Sequence, residues 1–272
     1  MPVTHPPSLA DDARQSANER NMLNLYHRLT ELPGLELFET REYTRIRCDY
    51  PHPLVNTIIA TLLSEESAES ALDECTEYYD SRNLPFSWMV STGSRPTDLR
   101  HRLGQRGMKE NAAMLGMTIE LTKWTSRTDS ANSVAAVRIE RVESSEQLEH
   151  WIAASAKGSG MPEDLLRLFS PLICQGTGQK SDSLQAYTAY LNNQPVGTSM
   201  LNCDGSCAGI YCVAVVSEAR RKGVGRAVTA HALAIAKAEG YTLGALQASA
   251  MGEPLYRRMG FTSQGKFEIY SR

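Results

Sequence analysis

The segment best equipped for chemistry is Val213 to Arg226, V-A-V-V-S-E-A-R-R-K-G-V-G-R. Its apolar, β-branched start reads as a buried strand, which runs through a basic, glycine-containing loop straight into an Ala-rich helix. A helix start leaves backbone N–H groups without intrahelical acceptors, and the helix dipole adds partial positive charge, so the junction suits an anion. Gly223 and Gly225 let the backbone approach a pyrophosphate with no Cβ in the way. Arg220, Arg221, Lys222 and Arg226 place four cations within seven residues of a chain whose formal net charge is −3. The plainer reading is a solvated helix start whose glycines only shape a turn. Neither common phosphate loop fits: no G-K-[ST] follows, and Val228 occupies the third glycine position of G-x-G-x-x-G.

Arg220-x-x-Gly223-x-Gly225 after an apolar strand resembles the R/Q-x-x-G-x-G/A signature of the GCN5-related N-acetyltransferase (GNAT) superfamily. A second element follows in the order that family leads one to expect. Glu253-Pro254-Leu255-Tyr256-Arg257-Arg258-Met259-Gly260-Phe261 is similar to its L-Y-x-x-x-G-F element. The resemblance implies acetyl-CoA as cosubstrate, bound by Val213, Ala214, Val215, Arg220, Arg221, Lys222, Gly223, Val224, Gly225, Arg226 and Ser249. Backbone groups of Val213 and Val215 would pair with the acyl carbonyl and the pantetheine arm like an added strand. The pyrophosphate would rest on the amides from Arg221 to Arg226. Ser249 stands where many relatives carry an Asn that bonds the pantetheine arm, a departure that leaves a shorter contact.

Acyl transfer from a thioester to an amine needs a free amine, a donor to the developing oxyanion and a proton for the leaving thiolate. By the family match Tyr256 supplies that proton; the alternative makes it a packed aromatic on a short amphipathic helix. The general base is unassigned. The strand Ala208 to Val216 carries no Asp or Glu, which leaves Glu253, Glu218 or Asp204 acting through water. His231 falls at packing spacing on the helix after the loop. Cys212, beside Val213, reads as a small buried side chain in preference to an acyl-carrying nucleophile.

These residues need a frame. A chain of 272 residues with 42% hydrophobic and 22% charged composition suits two soluble domains. The expected fold is α+β, a mixed sheet in tandem GNAT-like domains of which the N-terminal one is degenerate. Residues 1–18 read as a flexible tail, 19–124 as the degenerate α/β domain, 125–135 as a linker and 136–272 as the acetyltransferase domain. In the first half Arg102-Leu103-Gly104-Gln105-Arg106-Gly107-Met108 can be laid over Leu255 to Phe261, with Leu103 in place of the tyrosine. The acidic stretch Glu65 to Asp80 stands where the basic loop would be, so this half is read as cofactor-free, a wall of the acceptor cleft or a dimer surface; the alternative is an unrelated α/β domain. In the second half helices are expected over 145–156 and 162–173. Hairpins are expected at Asn192-Asn193 and Asp204-Gly205, and a closing strand pair over 261–270.

Six cysteines form no C-x-x-C pair, which speaks against a metal site. The absence of an apolar leader or an 18-residue apolar run points to a cytoplasmic protein, and the acidic balance gives no global attraction to nucleic acid or membrane. The function expected is acetyl transfer from acetyl-CoA to an amine of a small molecule, by direct attack in a ternary complex. Two others stay open: a silent CoA-binding sensor, and an acetyltransferase for a protein N-terminus or lysine.

Overall fold

The structure, a computed structural model, describes residues 9–32, 34–125, 137–175, 184–205 and 207–272. In chain order the elements are α1 (Leu9–Leu29), β1 (Leu35–Glu39), β2 (Thr44–Cys48), β3 (Thr57–Ile59), α2 (Ala68–Asp80), β4 (Ser87–Ser91), α3 (Leu99–Gln105) and β5 (Lys109–Glu120). After these come β6 (Arg138–Arg141), α4 (Ser145–Ser159), α5 (Glu163–Arg167), α6 (Ser170–Gln175), β7 (Leu184–Leu191), β8 (Gln194–Asp204) and β9 (Cys207–Val215). The chain ends with α7 (Val224–Ala238), β10 (Leu243–Ala248), α8 (Glu253–Met259) and β11 (Thr262–Ser271). The linker expected over 125–135 lies, from residue 126 on, outside the described residues.

Two compact units result. One consists of the chain up to Met117 with Gln247–Glu253 and Ser263–Arg272; the other of Thr118–Leu246 with Pro254–Thr262. In the first, β1–β2 and β2–β3 are antiparallel, β3–β4 is parallel and β4 pairs antiparallel with β11. Its core gathers Leu72, Cys75 and Tyr79 of α2 with Trp88, Val90, Leu99, Leu103 and, from the chain's far end, Tyr270. The tail expected through residue 18 is instead helical from Leu9. Its buried face includes Ala17, Asn18, Asn21, Met22, Leu25, Tyr26 and Leu29. Two of these buried residues, Asn18 and Asn21, are polar side chains that composition alone places on a surface. Asn18 is held inside by bonds, donating to the Met117 carbonyl at 3.4 Å and accepting from Gln247 at 2.5 Å.

In the second unit β6–β7, β7–β8 and β8–β9 are antiparallel and β9–β10 is parallel. Asn192 and Asn193 both have positive φ, 51° and 60°, as the two-residue hairpin turn requires. The single helix expected over 162–173 is two, α5 and α6. Pro171 has no N–H for the Arg167 carbonyl, so the ladder breaks one turn before it. The closing strand pair expected over 261–270 is one continuous strand, β11, because its partner over Phe267–Ser271 is β4.

The order antiparallel, antiparallel, parallel, followed by a helix and a strand, occurs in both units. The helix ends agree residue by residue. After α3, Gly107 N–H reaches the Gly104 carbonyl (3.0 Å) and Met108 N–H that of Leu103 (3.1 Å); after α8, Gly260 reaches Arg257 (3.0 Å) and Phe261 reaches Tyr256 (3.0 Å). Gly107 and Gly260 have φ of 77° and 98°, the left-handed stop that glycine favours. The alignment of Leu103 with Tyr256 is therefore structural as well as sequential.

Candidate active site

The site is built on the end of β9. Across the β8–β9 ladder Met200 faces Tyr211 and Thr198 faces Ala214, so β9 holds one extra residue and bulges at Cys212, whose φ is 50°. Thr198 Oγ1 fixes the bulge by donating to the Cys212 carbonyl at 2.8 Å. On the other side the parallel pairing with β10 covers only Cys207, Ala208 and Gly209. Beyond that register the strand runs on to Val213 and Val215, whose main-chain groups another extended molecule could take.

The loop that follows is shaped by backbone geometry. Arg221 has φ of 61° and Gly223 of 81°, turning the chain sharply into α7. The first intrahelical bond there is Ala227 N–H to Gly223 O, 2.9 Å, so the amides of Val224, Gly225 and Arg226 point out of the helix start. Val224 is buried, and its Cγ1 would lie 2.6 Å from any Cβ placed on Gly197, which anchors the turn on β8. Arg221 and Lys222 are exposed. Arg220 also holds backbone: its Nε donates to Val215 O (3.2 Å) and its Nη2 to Gly158 O (3.1 Å). Its guanidinium is a clasp between the end of β9 and α4. A Cβ on Gly158 would meet Val215 N at 2.8 Å, so α4 lies directly on that strand end. Neither the clasp nor the close approach was legible in the sequence, where the α4 helix was expected to stop at residue 156.

Tyr256 is buried on α8, its ring edge-on to Phe261 at 5.7 Å and 65°. Burial pushes its phenol up to about 12. The phenol is thus neutral and carries a proton to give. Leu255 brings α8 to α7, its Cδ2 lying 3.3 Å from where a Gly225 Cβ would stand. Ser249 is exposed and its hydroxyl accepts from Gly252 N–H at 3.2 Å, a turn that leads into α8. Its proton stays available for a ligand.

The other titratable candidates separate clearly. Glu218 is paired with Lys157 at 2.9 Å, and that bond, aided by Ser217, holds its carboxyl below the usual carboxylate range. Asp204 pairs with Cys207 at the opposite end of β9, about 20 Å of strand from Val213. Glu253 opens α8. Burial lowers His231 below the usual imidazole range, and its ring packs edge-on against Tyr187 at 4.9 Å. Burial pushes the Cys212 thiol up to about 12, so it is no thiolate nucleophile. Cys212→Ala should therefore keep turnover within about threefold of wild type, and a loss of a hundredfold would restore the acyl-cysteine reading. Among the described residues no cluster of three or more His, Cys, Asp or Glu could hold a metal.

The corresponding place in the first unit is built differently. After β3 the chain bridges Leu62 to Arg95, with Arg95 N–H on Thr61 O (2.8 Å) and Leu63 N–H on Arg95 O (3.2 Å). Leu103 fills the tyrosine's place in the core, fully buried. Where the second unit has its cationic loop, Glu65, Glu69 and Asp73 are neutralised by Arg102 and Arg106, with Arg102–Glu69 at 2.8 Å and Arg106–Asp73 at 2.7 Å.

The family profile described as acetyltransferase (GNAT) domain matches residues 182–263, which carry the bulged strand, the loop, α7 and α8. Residues 182–263 are a GNAT domain. The whole chain shares its fold with solved GNAT proteins, including one of tandem build. A GCN5-related N-acetyltransferase from Kribbella flavida is 16% identical, with 98% of this chain and 96% of that one covered and a TM-score of 0.71. A GCN5-related N-acetyltransferase from Sphaerobacter thermophilus is 13% identical over 99% and 95% of the two chains, TM-score 0.62. A tandem GNAT protein from the clavulanic acid biosynthesis pathway is 11% identical over 100% and 89%, TM-score 0.59. No curated protein matches the sequence. No helix among the described residues is long and apolar enough to cross a membrane.

Proposed function

We propose that the chain is an acetyl-CoA-dependent N-acetyltransferase that acetylates an amine of a small molecule by direct attack within a ternary complex. The observation that carries this is the continuity of one surface: the bulged end of β9 at Cys212–Val215, beyond its registered pairing with β10, runs directly into the amides at the start of α7. An extended thioester arm ending in a pyrophosphate needs that sequence of groups, strand edge first and anion cradle second. Positive φ at Arg221 and Gly223 aims the amides, and Lys222, Arg221 and Arg226 add charge around them. Arg220, occupied with two carbonyls, serves the site by holding its strand end. The amine attacks the thioester carbon, the C–N bond forms, the C–S bond breaks and Tyr256 gives its proton to the sulfur. With Glu218 locked to Lys157, the amine arrives neutral and its surplus proton leaves through water.

The acidic, ion-paired surface that the first unit carries in place of a cationic loop supports one acetyl-CoA site per chain. Calorimetric titration with acetyl-CoA should give a stoichiometry of one with micromolar affinity, followed by thiol release on addition of primary amines. Two sites would overturn the reading of the first unit, and no binding would sink the transferase. Binding with no turnover across a broad panel of primary amines would favour a CoA-sensing module.

A further inference from the structure

The bulge in β9 is held by a side chain of its neighbour. Thr198 on β8 is fully buried, and its Oγ1 donates to the Cys212 carbonyl at 2.8 Å. Because that bond comes from β8, it fixes which way the Cys212–Val213 peptide faces. In a trans peptide the C=O and the N–H that follows it point in opposite directions. With the Cys212 carbonyl drawn toward β8, the Val213 N–H points to the other side of β9, where β10 lies. The ladder around the bulge agrees. Val216 N–H crosses to Val196 O at 3.0 Å, which turns the Val215 carbonyl away from β8, and Arg220 Nε meets it there at 3.2 Å. Ser199, the β8 residue opposite the bulge, has its carbonyl accepting from Trp151 Nε1 at 3.3 Å. Cys212 itself sits at φ 50°, a conformation that residues other than glycine seldom adopt, so this peptide orientation needs support.

We propose that Thr198 is a positioning residue for acyl transfer: by holding the Cys212 carbonyl it aims the Val213 N–H at the oxygen of the bound thioester. This rests on the reading of the site as an acetyltransferase whose acyl carbonyl pairs with Val213. Attack by the amine puts negative charge on that oxygen, and a donor stabilises the charge most when it already points at it. A peptide at a bulge lacks the regular ladder bonds that fix its neighbours, so its direction depends on what else holds it. Thr198→Val keeps the shape of the side chain and leaves the Cys212 carbonyl without this donor, which frees the peptide to turn. The hydroxyl acts through the peptide and not on the substrate.

The test reads the thioester carbonyl itself. Infrared difference spectra of acetyl-CoA, isotope-labelled at the acetyl carbonyl and bound to the full chain, report hydrogen bonding to that oxygen, because a hydrogen bond lowers the stretching frequency. The wild type should show the band lowered from its position in free acetyl-CoA. In Thr198→Val the band should return most of the way to the free position and kcat with an accepted primary amine should fall roughly tenfold, while calorimetric affinity for acetyl-CoA stays within about threefold. Thr198→Ser, which keeps the hydroxyl, should restore both band and rate. A Thr198→Val enzyme with the wild-type band or the wild-type kcat overturns the inference. So does a loss of affinity or melting temperature with the band unmoved, which is what a merely structural threonine gives. Should Thr198→Val fail to fold, Thr198→Ser against Thr198→Ala carries the same comparison. A wild-type chain that binds acetyl-CoA with its band at the free position overturns this inference and leaves the transferase reading standing, whereas a chain that does not bind acetyl-CoA removes both.

Discussion

Tyr256→Phe should cut turnover with acetyl-CoA by about 10² or more and leave acetyl-CoA affinity within about twofold. The substitution deletes one oxygen and keeps the ring, whose edge-on contact with Phe261 at 5.7 Å survives. What disappears is a proton donor that burial keeps neutral, with its phenol raised to about 12. A general acid of this kind is worth about 10² to 10⁴ in rate, because without it a poorly solvated thiolate must leave unprotonated. The competing reading, a packed aromatic, predicts a different pattern. Losing one hydroxyl from a ring that stays packed would cost about 1 kcal/mol of stability and nothing in kcat. Initial rates, calorimetric binding and a melting curve on the same variant separate the two, and unreduced turnover would retire Tyr256 as the acid.

The parts of this site legible in the sequence are those in which residue type and backbone conformation are the same fact. Gly223 at φ 81° and Gly260 at φ 98° occupy conformations that favour glycine, so their spacing reported two turns before any fold was known. Asn192-Asn193 reported a hairpin for the same reason. Long side chains carry no such signature. Arg220 in a cationic loop reads as an anion ligand, and only its distances to Val215 and Gly158 reveal a clasp. The start of α1 lies inside the tail expected over residues 1–18, because buried Asn18 looks like surface. Strand partnership is the hardest to read. Nothing in Phe267 to Ser271 says that it pairs with Ser87 to Ser91, since a buried strand advertises its faces and not its neighbours.

That pairing leads to the second large effect: neither half of the chain should be stable when expressed alone. A fragment beginning at residue 137 would lose Thr118–Glu120 and Leu121 from the second unit. There Ile119 and Leu121 are buried, and both pack at Gly244, where an added Cβ would lie 2.8 Å from Ile119 and 3.6 Å from Leu121. Leu121 N–H also pairs with Thr242 O at 2.9 Å. Two buried aliphatic side chains are worth about 1.5 to 3 kcal/mol each, and the exposed edge of β10 adds to the loss. The complementary fragment would lose Ser263–Arg272, and with it buried Phe267 and Tyr270 and the Arg100–Glu268 ion pair. Losses of this size take most of the 5 to 15 kcal/mol that keeps a domain folded. Each fragment should therefore melt without a cooperative transition, while the two co-expressed should associate and recover acetyl-CoA binding. A fragment 137–272 that melts cooperatively and binds acetyl-CoA with the affinity of the full chain would show the C-terminal half to be self-sufficient, and would make the exchanged strands dispensable to the site.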